Sequence, residues 1–300
     1  MNLKTVIQYF DTNVLYTKNT NHSSFHWRQL MDEQTIQIMS FNLRRDPFYT
    51  KRFGWGNRRD GVIEIIRQSD ADIIGVQEMT PEMKKDLETK LDEFSIFGTG
   101  RSRKLLGEYS GILVRNETVE VLSNHTFWLS KNPDKQGSHA LLAPFPRICT
   151  TIEVYLKRSK QRMRVFNTHF DHISWFARKL SAQTILKYIR DYNSKDPLPV
   201  ILTGDFNAKP YSKAIKMLIT SNEYVSLNNI FTAFDISDTY INTYHGFSDR
   251  LSKYPIDYIF FSNDFVVNDF QILKNKPNGE YPSDHFPILA RLQIQPQGAH

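Results

Sequence analysis

LPVILTGDFN, residues 198–207, decides how the chain folds. Val200, Ile201 and Leu202 form an unbroken apolar run, which suits a strand buried on both faces rather than one with a wet side. The end of the run is different: Gly204 loosens the backbone, and Asp205 and Asn207 stand two apart, so both can point into one cleft. A carboxylate beside an apolar strand costs free energy unless it is paired or coordinated. The stretch is therefore a fold signal that ends in a site signal.

The same shape recurs on both sides of it. DIIGVQE (72–78) is apolar between Asp72 and its last two residues, and TIQIMSFN (35–42) sets Ile36, Ile38, Ser40 and Asn42 on one face by period two. QRMRVFNTH does the same with Met163, Val165, Asn167 and His169. EYSGILVR, VEVLSNHTFWLS, RICTTIEVYL, IDYIFFS and FPILARLQI read as further strands. NRRDGVIEIIRQSDA, PEMKKDLETKL with Pro81 at its start, SWFARKLSAQTILKYIRDY and SKAIKMLIT read as helices. Many strands with a helix pair in each half predict an α/β fold, a four-layered α/β sandwich of two mixed β-sheets packed face to face with helices outside. The expected domain covers 35–293, after an N-terminal arm or flap at 1–34 and before a tail at 294–300.

A formal charge of +6 over 300 residues leans toward an anionic partner but is too mild for a dedicated nucleic-acid scaffold. The single cysteine, Cys149, excludes an intramolecular disulfide and a cysteine metal cluster, and in RICTT it reads as a small buried hydrophobe. No stretch approaches roughly 18 apolar residues, so no membrane insertion is expected. The start has no long apolar region with a cleavage site, which points to a cytoplasmic protein, expected as a monomer.

Six strand-like runs end or begin in residues a core strand would not choose: Asn42, Glu78, Asn167 with His169, Asp205 with Asn207, Asp257, and Asp284 with His285. Singly, each has an ordinary explanation: Glu78 as a cap for the helix at Pro81, Asn42 as a turn residue, Asp257 as a strand-edge charge. Together they suggest one site. NTHFDH (167–172) spaces His169 and His172 three apart, which invites a zinc or non-haem iron reading that needs a further ligand. Ser283, Asp284 and His285 have the composition of a hydrolytic triad but no nucleophile elbow. Carboxylate and amide oxygens without Cys or HExxH favour Mg²⁺, Mn²⁺ or Ca²⁺. Such a cation beside imidazoles suits attack of water on a phosphate ester.

In this order, SFNLR, IIGVQE, NTHFDH, LTGDFNA, IDYIFFS and PSDHFPI resemble the endonuclease/exonuclease/phosphatase superfamily, over roughly residues 35–293. Its members include pancreatic-type deoxyribonucleases, abasic-site endonucleases, nocturnin-like deadenylases, sphingomyelinases and inositol-polyphosphate phosphatases. FWLSKNPDKQGS and PRICT look like a branch from bacteria and fungi. The resemblance implies a site at one edge between the sheets, Mg²⁺ (or Mn²⁺) as cofactor, and a phosphate-ester substrate such as nucleic acid. It implies that Asn42, Glu78 and Asp284 hold the metal, Glu78 most directly. It further implies that His169 contacts the scissile phosphate, Asp205 orients or activates water, and Asn207 holds a phosphoryl oxygen. His285 would lie beside the phosphate, oriented by Asp257.

One loop departs from the branch pattern. An acidic stretch is replaced by GTGRSRKLLGEYSG, so Arg101, Arg103 and Lys104 tilt it toward an anionic substrate, with Arg101 expected to bind it; solvated loop charges explain the run equally well. The expected activity is hydrolysis of a phosphodiester, nucleic acid or nucleotide. Alternatives are a small phosphomonoesterase acting on sugar, nucleotide or inositol phosphates, and an inactive phosphate-binding module.

Overall fold

The computed structural model describes residues 35–46, 52–220, 226–233, 241–248 and 253–295. The arm at 1–34 and residues 296–300 of the tail lie outside the described residues. One six-stranded sheet runs from edge to edge as β11 (Phe265–Ile272), β12 (Ile288–Ile294), β1 (Thr35–Asn42), β2 (Ile73–Met79), β4 (Tyr109–Arg115) and β3 (Phe94–Phe97). The other runs as β5 (Val119–Trp128), β6 (Ile148–Leu156), β7 (Gln161–His169), β8 (Val200–Asp205), β10 (Asp257–Ser262) and β9 (Leu227–Asn229). Both sheets are mixed. β1 pairs parallel to β2, and β7 parallel to β8, while the remaining neighbours are antiparallel.

Parallel neighbours need a long crossover, and a helix supplies it in each half. α1 (Trp55–Gln68) links β1 to β2, and α3 (Trp175–Asn193) links β7 to β8; α2 (Pro81–Lys90), α4 (Lys213–Leu218) and the single-turn α5 (Ile230–Ala233) complete the helices among the described residues. Val62, Ile66, Met83 and Leu87 of α1 and α2 pack on Met39, Phe41, Ile74 and Val76, the outer face of the first sheet. Ile185, Ile189, Ile215 and Leu218 of α3 and α4 join the cluster that contains the second sheet and the space between the sheets. The expected four layers are therefore present. Among the described residues no helix is long and apolar enough to cross a membrane.

Helix starts follow local chemistry. Thr80 caps α2 by accepting from Met83 N at 3.2 Å, with Pro81 behind it where a missing N–H costs nothing. Asp171 and Ser174 cap α3: Asp171 Oδ1 accepts from Ile173 N and Ser174 N, and Ser174 Oγ from Ala177 N.

Asn167 ties the sheets together. It is fully buried, donating to Val76 O at 2.9 Å and Gly111 O at 2.7 Å while accepting from Gln77 Nε2 at 2.7 Å and Thr203 Oγ1 at 3.1 Å. A buried amide with both ends satisfied stabilises rather than strains the packing. Gly75 makes room for this network, since a Cβ there would stand 2.1 Å from Thr203 Oγ1 and 2.6 Å from Asn167 Oδ1. Gly75→Ala is expected to destabilise the protein by about 1–3 kcal/mol or more, read as a lower urea midpoint. An unchanged midpoint would show that the network gives way freely.

β3, β9 and β11 have no counterpart among the strands expected from the sequence. β3 and β9 are four and three residues long, and β11 is an edge strand whose alternate residues are exposed around Asn268 and Asp269. Cys149 is buried, and burial pushes its thiol well above its ordinary range, in keeping with a small hydrophobe.

Candidate active site

Both parallel pairs point their carboxyl ends at the same edge of the sandwich. Asn42 lies beside Gln77 at the end of β1 and β2, and His169 beside Asp205 at the end of β7 and β8. Asp257 opens β10 directly opposite Asp205. Residues from two sheets thus meet at one place. Asn42 Nδ2 donates to Asp205 Oδ2 at 3.0 Å across 163 positions of sequence, and lies 3.5 Å from Glu78 Oε1.

Glu78 sits at a bulge between Val76 and Met79, with φ of 58°. That left-handed conformation is uncommon for a residue with a side chain and re-aims the carboxylate at the rim. Its Oε2 accepts from Arg45 N at 2.8 Å. Ser283 Oγ donates to Asn42 O at 2.6 Å, so this hydroxyl fastens the loop before β12 to β1 and does not act as a nucleophile. Arg44 Nε lies 3.3 Å from Asp284 Oδ2. Beneath them the buried Arg58 donates to the carbonyls of Leu43, Arg44, Phe53 and Pro282, so it clamps two site loops.

The two imidazoles differ in charge. His285 Nδ1 donates to Asp257 Oδ2 at 2.9 Å, and its Nε2 lies 3.9 Å from Asp205 Oδ2. Burial disfavours its charge, but Asp257, Asp205 and Asp284 outweigh that and raise it to about 10, so it is cationic at neutral pH. His169 is lowered well below the usual range by burial and by the charges of Arg147 and Arg101, so it is neutral. Asn207, at φ of 47°, donates through Nδ2 to Phe170 O at 3.1 Å and contacts His169 Nε2 at 3.0 Å. Phe170 O can only accept, which fixes the amide; His169 Nε2 then accepts as well and carries its proton on Nδ1. In this arrangement one amide hydrogen of Asn207 is used on Phe170 O and the other on His169 Nε2.

Burial and then Asp257 push Asp205 up to about 7, offset in part by His285. Burial also raises Asp284, with Glu78 adding to the rise. Glu78, Asp205, Asp257 and Asp284 thus crowd one buried edge with His285 and Arg44 as the cations among them, and Asp257 Oδ1 is buried without a partner. The side chains of Asp205, Asp257 and His285 bring ligand atoms within 4.8 Å of one another. Of these three, His285 and Asp257 are hydrogen-bonded, and Asp205 stands beside them with its Oδ2 3.9 Å from His285 Nε2. The oxygens of Glu78, Asp284 and Asn42 beside them fit a hard divalent cation.

The remaining expected residues lie nearby. His172 Nδ1 meets Arg147 Nη2 at 3.1 Å, and among the described residues the groups that could hold a metal do not bring His169 and His172 together, which goes against the paired-histidine reading of NTHFDH. Arg101 folds back on Glu108 at 2.7 Å, while Arg103 and Lys104 are exposed. Tyr244, Glu108 and Arg147 also face the site and were not singled out from the sequence. Tyr244 stands edge-on to His285 at 4.9 Å between centroids. An arginine opening the apolar run RICTT was the available signal for Arg147; Tyr244 carries none.

Known proteins share the fold. The model of the Endonuclease/Exonuclease/phosphatase family matches residues 39–285. The chain is similar to an endonuclease/exonuclease/phosphatase from Bacteroides vulgatus, with 32% identity, a TM-score of 0.78, and coverage of 87% of this chain and 99% of that one. A mannosyl-6-phosphatase from Bacteroides thetaiotaomicron is 28% identical at a TM-score of 0.78, covering 86% and 100%. An uncharacterized protein of Acanthamoeba polyphaga mimivirus is 25% identical over 85% of this chain and 98% of its own length.

Proposed function

Because the chain belongs to the endonuclease/exonuclease/phosphatase family, a family of phosphoesterases, we propose that it is a divalent-metal-dependent hydrolase of small phosphomonoesters. The carrying observation is the convergence of Asp205, Asp257 and His285 with Asn42, Glu78 and Asp284 at one edge between the sheets.

Each residue has a role in this reading. Asp205, raised toward neutrality, accepts the proton of the attacking water. His285, held by Asp257, points its Nε2–H at a phosphoryl oxygen and stabilises the charge that grows there. Neutral His169, locked by Asn207, contacts the same phosphate. A Mg²⁺ or Mn²⁺ ion held by Glu78, Asp284 and Asn42 would supply Lewis-acid polarisation and neutralise phosphoryl charge.

A small monoester is favoured over a polynucleotide by the state of the arginines. Arg44 faces Asp284, Arg45 and Arg101 face Glu108, Arg58 faces Asp46, and Arg147 faces Asp171. A channel for a nucleic-acid backbone needs a row of cations that are not already paired, and of the basic loop Arg103 and Lys104 alone stay exposed and without a carboxylate partner. The pairing of Arg101 removes the main ground for a phosphodiester, and the likeness to a mannosyl-6-phosphatase points the same way.

The test is phosphate release from mononucleotides, sugar and inositol phosphates, single-stranded DNA and RNA with a 3′ poly(A) end. EDTA should abolish turnover and Mg²⁺ or Mn²⁺ restore it, with monoesters ahead of polynucleotides. Activity that survives chelation with bound zinc or iron would sink the metal assignment; faster cleavage of a polynucleotide would overturn the substrate choice.

A further inference from the structure

The stretches 101–107, 137–146 and 172–176 present large apolar side chains to solvent. Leu141, Leu142, Ile173 and Trp175 are between 63% and 75% exposed, and Leu106 and Phe145 are exposed as well. The stretches are contiguous. Leu141, Leu142, Ile173 and Trp175 line one cleft of about 340 Å³, and Ala140 and Ala143 pack with Ala177 of α3. Arg101 lies over the Phe145 ring at 5.0 Å, and a Cβ on Gly137 would stand 2.7 Å from Arg103 N, so the 101–107 loop packs on the 137–146 loop. Arg101 and Arg147 line a pocket with His169, which places this surface at the edge that carries the site. Leu105 and Leu142 hold φ of 58° and 64°, a left-handed backbone that bulky residues rarely adopt. Single exposed leucines are ordinary, but a contiguous apolar set on strained backbone marks a binding surface.

The charges select the partner. Residues 101–107, 135–147 and 172–190 contain no Asp or Glu. Arg103, Lys104 and Lys135 are exposed, and Lys179 follows Trp175 by one helical turn on the same face of α3. The carboxylates that flank these stretches are engaged: Glu108 by Arg101 and Arg45, Asp171 in capping α3, and Asp134 by the Tyr188 hydroxyl at 2.9 Å. A two-fold contact between copies of this chain would set the cations against one another with no acid in these stretches to answer them. A nucleic-acid backbone would meet the cations and leave the apolar side chains in water. A bilayer with anionic lipid takes both. Leucine, isoleucine and tryptophan enter the boundary between headgroups and acyl chains, and the cations meet the anionic headgroups above it.

We propose that these three loops dock the protein on an anionic lipid bilayer, on which it lies without crossing it. Docking sets the edge that carries His169 against the lipid surface. This goes beyond the phosphomonoesterase reading and is tested without turnover, so either can fail alone.

The experiment sediments the full chain with vesicles of phosphatidylcholine alone and of phosphatidylcholine mixed with phosphatidylserine. The protein should bind the mixed vesicles at least about tenfold more tightly than the neutral ones, with the ratio shrinking as salt is raised. Leu142→Ser with Trp175→Ser should weaken binding to the mixed vesicles by at least about tenfold. Lys135→Glu with Lys179→Glu should move the ratio between the two vesicle types toward one. None of these four side chains is buried, so both variants should melt like the wild type by circular dichroism. A wild type that pellets with neither vesicle overturns the proposal. So does binding to the mixed vesicles that survives the Leu142 and Trp175 changes, since charge alone then accounts for it. A wild-type dimer in sedimentation velocity that the same two changes turn into a monomer also overturns it, because a second copy then covers the patch.

Discussion

Asp205→Asn is expected to lower kcat on a phosphate ester by at least roughly a hundredfold, the usual size of a general-base contribution. The substitution keeps volume and removes the capacity to take a proton. Asp205 is 1% exposed and accepts from Asn42 Nδ2 with one oxygen and from Asn207 N with the other, so the amide keeps one of these bonds and sets its NH2 against the other donor; the melting temperature should fall modestly while the far-UV circular dichroism does not change. The pH dependence carries the sign. Asp205 is raised to about 7 by burial and by Asp257, so below that pH it is protonated and cannot act as base. Activity should therefore climb with pH along a limb at or below about 7, lower where a bound cation favours the carboxylate. The residual activity of the variant should lack this limb. Wild-type turnover in Asp205→Asn would show that another group activates the water.

His285→Ala is expected to cost a similar factor, for a different reason. It removes the cationic donor from the phosphoryl oxygen, and loss of one such donor typically costs about 10²–10³ in kcat. It also strands Asp257, which is 1% exposed and has His285 as the partner of Oδ2. A buried charge left without its partner costs about 3–5 kcal/mol, so the single variant should also melt lower. The double variant His285→Ala with Asp257→Asn separates the two effects. Its melting temperature should recover toward the wild type while its turnover stays low. Recovery of activity along with stability would reduce His285 to a packing residue.

Much of the site is legible in the sequence. Buried strands announce themselves by apolar runs, and the polar residues at their ends mark the rim; Asn42, Glu78, His169, Asp205, Asp257, Asp284 and His285 were all picked out this way. Helix caps were equally local, as Pro81 shows. Short or edge strands such as β3, β9 and β11 escaped because three or four residues, or a strand wet on both sides of an Asn-Asp pair, carry too little periodicity.

Other features were decided only by packing. Asn167 looked like a member of the site and proved to be a tie between sheets; Asp171 of NTHFDH proved to be a cap, and His172 a partner of Arg147. Arg101 reads in the sequence as a cation for an anionic substrate, but in the fold it is paired with Glu108, seven positions on, which it shares with Arg45. The charges of His169 and His285 could not be read from residue type at all, since the same imidazole is neutral beside two arginines and cationic beside Asp257. Sequence by itself determined where the long buried strands run and which polar groups lie at their ends, because periodicity and backbone preference act over a few neighbouring residues. Only the tertiary structure decided which of those groups meet and in what charge state. Hydrogen-bond partners, desolvation and Coulomb fields depend on distances across sheets, and those are set by contacts such as Asn42 to Asp205, far apart along the chain.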